Sequence, residues 1–186
     1  MTSEQLKEQV EMGLKYKFKK AEEIIQRADT EDLKALMGIC KEIQTAEDEL
    51  ITGAEEVLSQ CKNNCMGLCC RNIYIDDIIT LLDFVYILAI DDSMKDRIPK
   101  YLKNETMFSS NCIFLEDGEG PCIFSSNSRP EKCIITFCGV EMSIKQEIRL
   151  LVSKFNKLSR FVMLRKPRAL IKSLFKMRMY CTSNDE

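Results

Sequence analysis

A dense set of cysteines, combined with the absence of histidine, constrains this chain more than any other feature of its sequence. Eight of the ten cysteines lie between positions 61 and 138: Cys61, Cys65, Cys69, Cys70, Cys112, Cys122, Cys133 and Cys138. Without histidine, a metal can find only sulfur, carboxylate, amide and backbone ligands here, and thiolates bind zinc and iron–sulfur clusters best. The sequence therefore predicts a metal site formed by these eight cysteines.

The N-terminal segment MTSEQLKEQVEMGLKYKFKK indicates that these thiols stay reduced. It has no apolar core followed by a cleavage site, and it reads as a charged amphipathic helix rather than a signal peptide. The apolar window 73–90 is interrupted by three aspartates, and the uninterrupted run after Asp83 is too short to span a membrane. We therefore expect a cytoplasmic protein, in which metal binding explains ten cysteines better than a disulfide framework does.

Two amphipathic helices are predicted before the first clustered cysteine. Apolar residues recur at steps of three and four over 4–27, and a heptad pattern with Glu47 at one apolar position continues over 31–60. Asp29 and Thr30 provide the cap between them. We expect an antiparallel hairpin of the two helices, packed on the cysteine core, with a dimerising coiled coil as the alternative. Cys40 lies on the apolar stripe and is expected to be a core residue.

The cysteines themselves fall into three local structures. The first is a knuckle, CKNNCMGLCCR, which places four thiols within ten residues and precedes a buried helix predicted over 76–90. The second, NCIFLEDGEGPCIF, predicts a short β-hairpin that brings Cys112 close to Cys122. The third, RPEKCIITFCG, predicts a helix or turn with Pro130 in its first turn, followed by Cys138 and Gly139.

The C-terminal part is helical and becomes basic. Ser143 and Gln146 suggest a capping box for a helix to about 159, and Pro167 separates it from RKPRALIKSLFKMRMY, which has no acidic residue. Such a helix could contact anionic lipid, a nucleic-acid backbone or an acidic partner, but we favour packing on the protein itself. With a net charge of -2, the chain shows no general attraction to nucleic acid, and Cys181 is expected to stand outside the site.

The order of the cysteine motifs resembles the YkgJ-like cysteine-cluster family, a zinc- or iron-chelating domain whose wider group includes flagellin lysine methylases. The matching pieces are CMGLCCR, CIFLEDGEGPCIF, RPEKC and Cys138, which together cover about 61–139. The opening differs from the family pattern by one extra residue in each gap between Cys61, Cys65 and Cys69. The resemblance implies chelation of iron–sulfur or zinc by the cysteines, and it implies no reaction.

From the residues, the predicted fold is mainly α: a helical hairpin (1–60) and C-terminal helices (141–186) packed around a cysteine-rich metal-binding core (61–140) with one short β-hairpin. We expect these parts to form a single compact domain. Eight thiolates suit two zinc sites of four ligands or one cubane cluster with extra thiols. We expect a [4Fe-4S] cluster for electron transfer, redox sensing or support of a partner enzyme, with structural zinc as the alternative. Partners would be another protein, or a second copy bound through the helical flanks.

An enzyme is the less favoured interpretation. A protein lysine N-methylase would fit the wider group, but the chain has no glycine-rich nucleotide loop, and the absence of histidine excludes Ser-His and Cys-His machinery. The available carboxylates are better explained as helix caps, solvated charges or turn residues: Asp76, Asp77, Asp91, Asp92 and Glu116.

Overall fold

The computed structural model describes residues 13–60, 70, 75–103, 111–118, 121–136 and 144–165. Apart from one three-residue 3-10 turn at Glu116–Gly118, its regular elements are α-helices: α1 Leu14–Gln26, α2 Thr30–Gly53, α3 Glu55–Gln60, α4 Ile75–Ile78, α5 Leu81–Ile90, α6 Met94–Leu102, α7 Glu131–Ile135 and α8 Lys145–Arg165. The predicted mainly α class is therefore confirmed. None of the described helices is both long and apolar enough to cross a membrane.

Helix α5 is the centre of the helical bundle, by which we mean α1, α2, α5 and α8. Its residues from Asp83 to Leu88 are all buried, and it contacts α1, α2 and α8. A helix that is apolar around most of its surface can be covered from several sides at once. The prediction of a buried helix in this region is confirmed, although its boundaries differ from those we expected.

The expected helix over 76–90 is two helices, because a capping box starts a new one at Thr80. The Thr80 amide donates to the Asp83 carboxylate at 2.7 Å, and the Asp83 amide donates to the Thr80 hydroxyl at 3.3 Å. This reciprocal pair satisfies amide groups that a helix start leaves without partners. Helix α4 therefore ends at Ile78, and α5 begins at Leu81.

The two N-terminal helices do not follow the predicted hairpin packing. Helix α1 has its most extensive contacts with α5, and α2 has its most extensive contacts with α8. Helix α2 also ends earlier than expected, at Gly53, and α3 follows it. The cap at Asp29 is confirmed, since its carboxylate accepts the Asp32 amide at 2.8 Å.

Aromatic rings connect the helical bundle with the cysteine-bearing part of the chain. The ring of Phe84 in α5 meets Phe18 of α1 edge-on at 5.6 Å between centroids, and it meets Phe114 at 6.5 Å. Phe114 in turn lies 5.0 Å from Phe124. Because Phe114 and Phe124 follow Cys112 and Cys122 by two residues, this row of rings fixes where both cysteines sit on the bundle.

Candidate metal centre

Four of the eight predicted ligands fall within the described residues, namely Cys70, Cys112, Cys122 and Cys133. We call residue 70 together with 111–118 and 121–136 the thiol segments. The other predicted ligands lie outside the described residues: Cys61, Cys65, Cys69 and Cys138. Together with Cys40, the four described cysteines are not in disulfides.

The end of the knuckle and the second thiol segment are joined through their backbones. The Cys112 amide donates a hydrogen bond to the Cys70 carbonyl at 2.8 Å, across a gap of 42 positions in sequence. Cys112 is buried, and Cys70 is partly buried against the core. Two predicted ligands from separate motifs are therefore held side by side by main-chain atoms, independently of their side-chain rotamers.

A tight turn brings the second thiol segment back toward Cys122. An antiparallel bridge pairs Leu115 with Cys122, and the Ile123 amide donates to the Phe114 carbonyl at 3.0 Å. The turn passes through Asp117 and Gly118, which have φ angles of 54° and 75°. We predicted a β-hairpin here. Among the described residues the β pairing is limited to this single bridge, and it does not extend into strands.

The third thiol segment carries Cys133 on the short helix α7; the predicted helix is present, but Pro130 is its N-cap residue instead of lying in its first turn. The Asp83 carboxylate accepts the Glu131 amide at 2.8 Å, so one side chain caps α5 and also holds the start of α7. The Lys132 ammonium donates to the Asp77 carbonyl at 2.7 Å. These contacts tie the helix of Cys133 to α5 of the helical bundle and to α4, which lies between the knuckle and α5.

Helix α4, which follows the knuckle, is fixed from the bundle as well. The Lys17 ammonium of α1 donates to the carbonyls of Asp76 and Ile79, the latter at 3.0 Å, and it pairs with the Asp76 carboxylate at 3.8 Å. A lysine at this place satisfies carbonyls that the end of a helix leaves exposed. The chain leaving the knuckle is thus anchored at a defined point on α1.

The described thiols influence one another electrostatically. The pKa of Cys112 is raised to about 12, mainly by burial and further by the neighbouring Cys122 and Cys70 thiols. Cys133 is exposed as a residue, yet the pKa of its thiol is raised by the protein atoms around the sulfur and then by Cys112 and Cys122. Burial also raises the pKa of Cys122, and the positive charge of the Arg129 guanidinium opposes this rise. The four thiols therefore lie within one electrostatic neighbourhood.

Within the described part of the chain, however, no three cysteine or carboxylate side chains are grouped closely enough to hold a metal ion. The predicted ligands are all thiols, which fit zinc or an iron–sulfur cluster better than a hard cation such as magnesium. An open cleft of about 520 Å³ reaches Cys112 and is bordered by Tyr101 and Glu116. Solvent can therefore approach this thiol from one side.

Three of the five carboxylates that we interpreted as caps, solvated charges or turn residues have such partners. Asp91 accepts from the Ser93 amide and hydroxyl, at 3.0 and 2.6 Å. Asp92 pairs with Lys95, and Glu116 pairs with Arg97 at 3.6 Å. Cys40 is fully buried in the core, as predicted, and burial raises its pKa to about 12.

Sequence reasoning missed a buried polar contact between α2 and α5. The carboxyl of Glu47 and the phenol of Tyr86 are both fully buried, with 2.8 Å between their oxygen atoms. The signal was present in the sequence, because Glu47 occupies a heptad position that is otherwise apolar. Sequence reasoning also missed Asp83, whose carboxylate caps α5 and accepts the Glu131 amide at the start of α7. The spacing Thr80-x-x-Asp83 could have indicated the cap.

No protein-family model, no curated protein and no solved structure matches this chain. The interpretation of the thiol segments therefore rests on their own chemistry and on the hydrogen bonds that join them.

Proposed function

We propose that this chain is a metal-binding protein whose clustered cysteines hold a [4Fe-4S] cluster. The observation that carries the proposal is the 2.8 Å hydrogen bond between the Cys112 amide and the Cys70 carbonyl. It joins the main chains of two cysteines from separate motifs that an all-sulfur site would have to combine. The full ligand set of the proposal is Cys61, Cys65, Cys69, Cys70, Cys112, Cys122, Cys133 and Cys138, of which a cubane uses four.

Buried aromatic rings beside two of the described thiols support the proposal, because they provide an apolar wall for a cluster. Phe114 and Phe124 are buried beside Cys112 and Cys122, and the ring of Tyr101 lies 6.4 Å from that of Phe114. When bound, a [4Fe-4S] cluster supplies one-electron chemistry, and an apolar shell with limited solvent access tunes its potential. Electron transfer, redox sensing and support of a partner enzyme all use this property.

A structural zinc site is the second candidate, and one observation favours it. The thiol segments contain, within their described residues, only short helical pieces and a single β bridge. Segments with so little regular structure gain much from a closed four-thiolate zinc site, because metal binding contributes directly to folding. In this case the protein would act as an interaction module, with its helices as the contact surface.

Metal analysis of anaerobically purified protein tests the proposal and separates the two candidates. A [4Fe-4S] cluster predicts a brown protein with broad visible absorption, iron and acid-labile sulfide in equal amounts, and an electron paramagnetic resonance signal after reduction. Structural zinc predicts a colourless protein with stoichiometric zinc. A protein that retains neither iron nor zinc would overturn metal binding itself.

Single serine substitutions then test which thiols are ligands. We expect C70S, C112S, C122S and C133S to lose metal, because serine does not replace a thiolate ligand to a soft metal. The matched control is C40A, which removes a buried thiol that lies within the helical core rather than in the thiol segments. If C40A loses metal while the four serine variants retain it, the assignment of the site is wrong.

A further inference from the structure

The phenol of Tyr86 joins the helical bundle to a loop between Cys122 and Cys133. The Tyr86 oxygen lies 2.8 Å from the Glu47 carboxyl and 3.0 Å from the Asn127 carbonyl. Asn127 belongs to residues 125–130, which we call the Asn127 loop, and this loop runs between Cys122 and Cys133. The Gln44 amide also donates to the Asn127 carbonyl, at the longer distance of 3.3 Å.

The phenol has only one hydrogen, so it cannot donate to both oxygens at once. If Glu47 is protonated, its own hydrogen can go to the Tyr86 oxygen, and the Tyr86 hydrogen is then available to the Asn127 carbonyl. If Glu47 is ionised, it only accepts, and Tyr86 must donate to it. The Asn127 carbonyl then loses its shorter hydrogen bond and keeps that from Gln44.

The surroundings of Glu47 favour the protonated state near neutral pH. Burial is the main cause that raises its pKa to about 8, and Asp48 and Asp83 act in the same direction. The hydrogen bond from Tyr86 and the charge of Arg129 oppose the rise. On the side of α8, Tyr86 meets the uncharged ring of Phe155, at 5.5 Å between centroids.

Two buried polar atoms without hydrogen-bond partners suit an ion pair between Glu47 and Arg129 when Glu47 is ionised. The second carboxyl oxygen of Glu47 is buried without a hydrogen-bond partner in the described residues, and so is the Nε atom of Arg129. A carboxylate attracts the guanidinium more strongly than a neutral acid does. Ionisation would therefore draw Arg129, at the end of the Asn127 loop, toward Glu47 while Tyr86 releases the Asn127 carbonyl.

We propose that Glu47 is a proton-binding site whose occupancy controls the hydrogen bonding of the Asn127 loop, and thereby the placement of the loop between Cys122 and Cys133. The proton is the ligand, Tyr86 transmits its presence, and the Asn127 carbonyl responds. This coupling is a property of the polypeptide and does not require a metal. Its consequence for metal retention at Cys122 and Cys133 rests on the proposed function above.

Hydrogen–deuterium exchange of the full-length protein at a series of pH values tests the coupling. After correction for the intrinsic pH dependence of exchange, the peptide containing the Asn127 loop should exchange about fivefold faster above pH 8 than at pH 6, the effect of losing one ordinary hydrogen bond. E47Q should abolish this transition and keep the loop protected throughout, because its neutral amide can donate to Tyr86 as the protonated acid does.

Two further variants separate the proposal from a general effect of pH. Y86F removes the transmitting hydroxyl, so the loop should exchange fast at every pH, with no transition. E49Q changes an exposed glutamate on the same helix and should behave as the wild type. An equal transition in E47Q and wild type would overturn the proton site, and a transition that persists in Y86F would overturn the role of Tyr86.

Infrared difference spectroscopy gives an independent measurement of the proton itself. The wild type minus E47Q spectrum should contain the carbonyl band of a protonated carboxylic acid at pH 6, and the band should disappear as the pH is raised above 8. If the band is absent at pH 6, Glu47 is ionised and the proposal fails, whatever the metal content. If the band and the exchange transition are present but the chain binds no metal, only the proposed metal function fails.

Discussion

The helical bundle and the thiol segments of this protein are held together in different ways. The bundle consists of long helices joined by buried apolar side chains, among them Leu36, Ile43, Phe84 and Leu151. The thiol segments also bury apolar rings against the bundle, but they contain little regular structure, and hydrogen bonds join them to one another and to the bundle, such as the one that Asp83 accepts from Glu131. The bundle therefore rests on the packing of helix on helix, whereas the thiol segments depend on their contacts with the bundle.

The largest effect should come from breaking the ring contacts that the two regions share. Replacing Phe84 by alanine removes a fully buried ring in contact with Phe18 and Phe114, so we expect a loss of about 3–5 kcal/mol in the free energy of unfolding. Chemical denaturation measures this loss. Met163, which is 58% exposed, provides the control M163A, with an expected change within about 0.5 kcal/mol.

If F84A lowered the stability of the bundle but left the exchange protection of residues 112–124 unchanged, the thiol segments would not depend on the row of rings. A different contact would then have to connect the helical bundle with the thiol segments.

A smaller and pH-dependent effect should follow from replacing Glu47 by glutamine. The folded protein holds the pKa of Glu47 at about 8, above the ordinary value of 4.5, so its contribution to stability is complete below pH 4.5 and is lost progressively as the pH rises to 8. Between pH 4.5 and pH 7 the carboxyl ionises in the unfolded chain but not in the folded protein, so by pH 7 the wild type has lost on the order of 3 kcal/mol through this group. E47Q should therefore be more stable than the wild type at pH 7 by a similar amount and close to it at pH 5.

Denaturation curves at pH 5, 7 and 8 measure this difference, with E49Q as the control on the same helix. A constant difference between E47Q and the wild type across these pH values would mean that Glu47 does not titrate in this range. The buried polar contact would then be a fixed hydrogen bond within the bundle.

The two regions also differ in how far the sequence predicts them. Spacing of apolar residues located the buried stripe of α2, including Cys40, because heptad periodicity follows directly from helix geometry. The same reasoning wrongly predicted that α1 and α2 pack mainly against each other. Both helices carry an apolar face, and the spacing of apolar residues does not specify which helix covers that face. The apolar helix α5 resolves this choice by offering contact surface to both.

In the thiol segments the sequence predicted the local turns better than their connections. The helix start after Pro130 and the return of the chain at Asp117 and Gly118 follow from residue types that favour such conformations. The bond between Cys70 and Cys112 leaves no such trace, because a main-chain hydrogen bond uses atoms that every residue has. Eight thiols between positions 61 and 138 indicated a common site, but not this contact.

A moderate effect confined to one connection is expected at Asp83. In D83N one carboxylate oxygen becomes a donor, so it can no longer accept from both Thr80 and Glu131, and an amide or hydroxyl is left without its partner. We expect a loss of about 2 kcal/mol. Exchange of the α7 amides should increase more than exchange in α8, whereas the control D77N, at an exposed aspartate, should change neither.

Equal loss of protection in α7 and α8 would contradict the idea that Asp83 acts as a connection between the two regions. It would place this carboxylate among the residues that stabilise the bundle as a whole.

The smallest effect should come from an ion pair that lies wholly within the bundle. The Glu42 carboxylate on α2 is 3.0 Å from the Lys154 ammonium and 2.6 Å from that of Lys157, both on α8, but its side chain is 38% exposed. Water and salt screen such pairs, so E42Q should cost about 0.5 kcal/mol, and the cost should shrink further in 1 M salt. Helices α2 and α8 are already joined by buried apolar side chains, and these remain in the variant. A loss comparable to that of D83N would show that charge rather than apolar packing holds α2 against α8. The helical bundle would then not be held together by its buried apolar side chains.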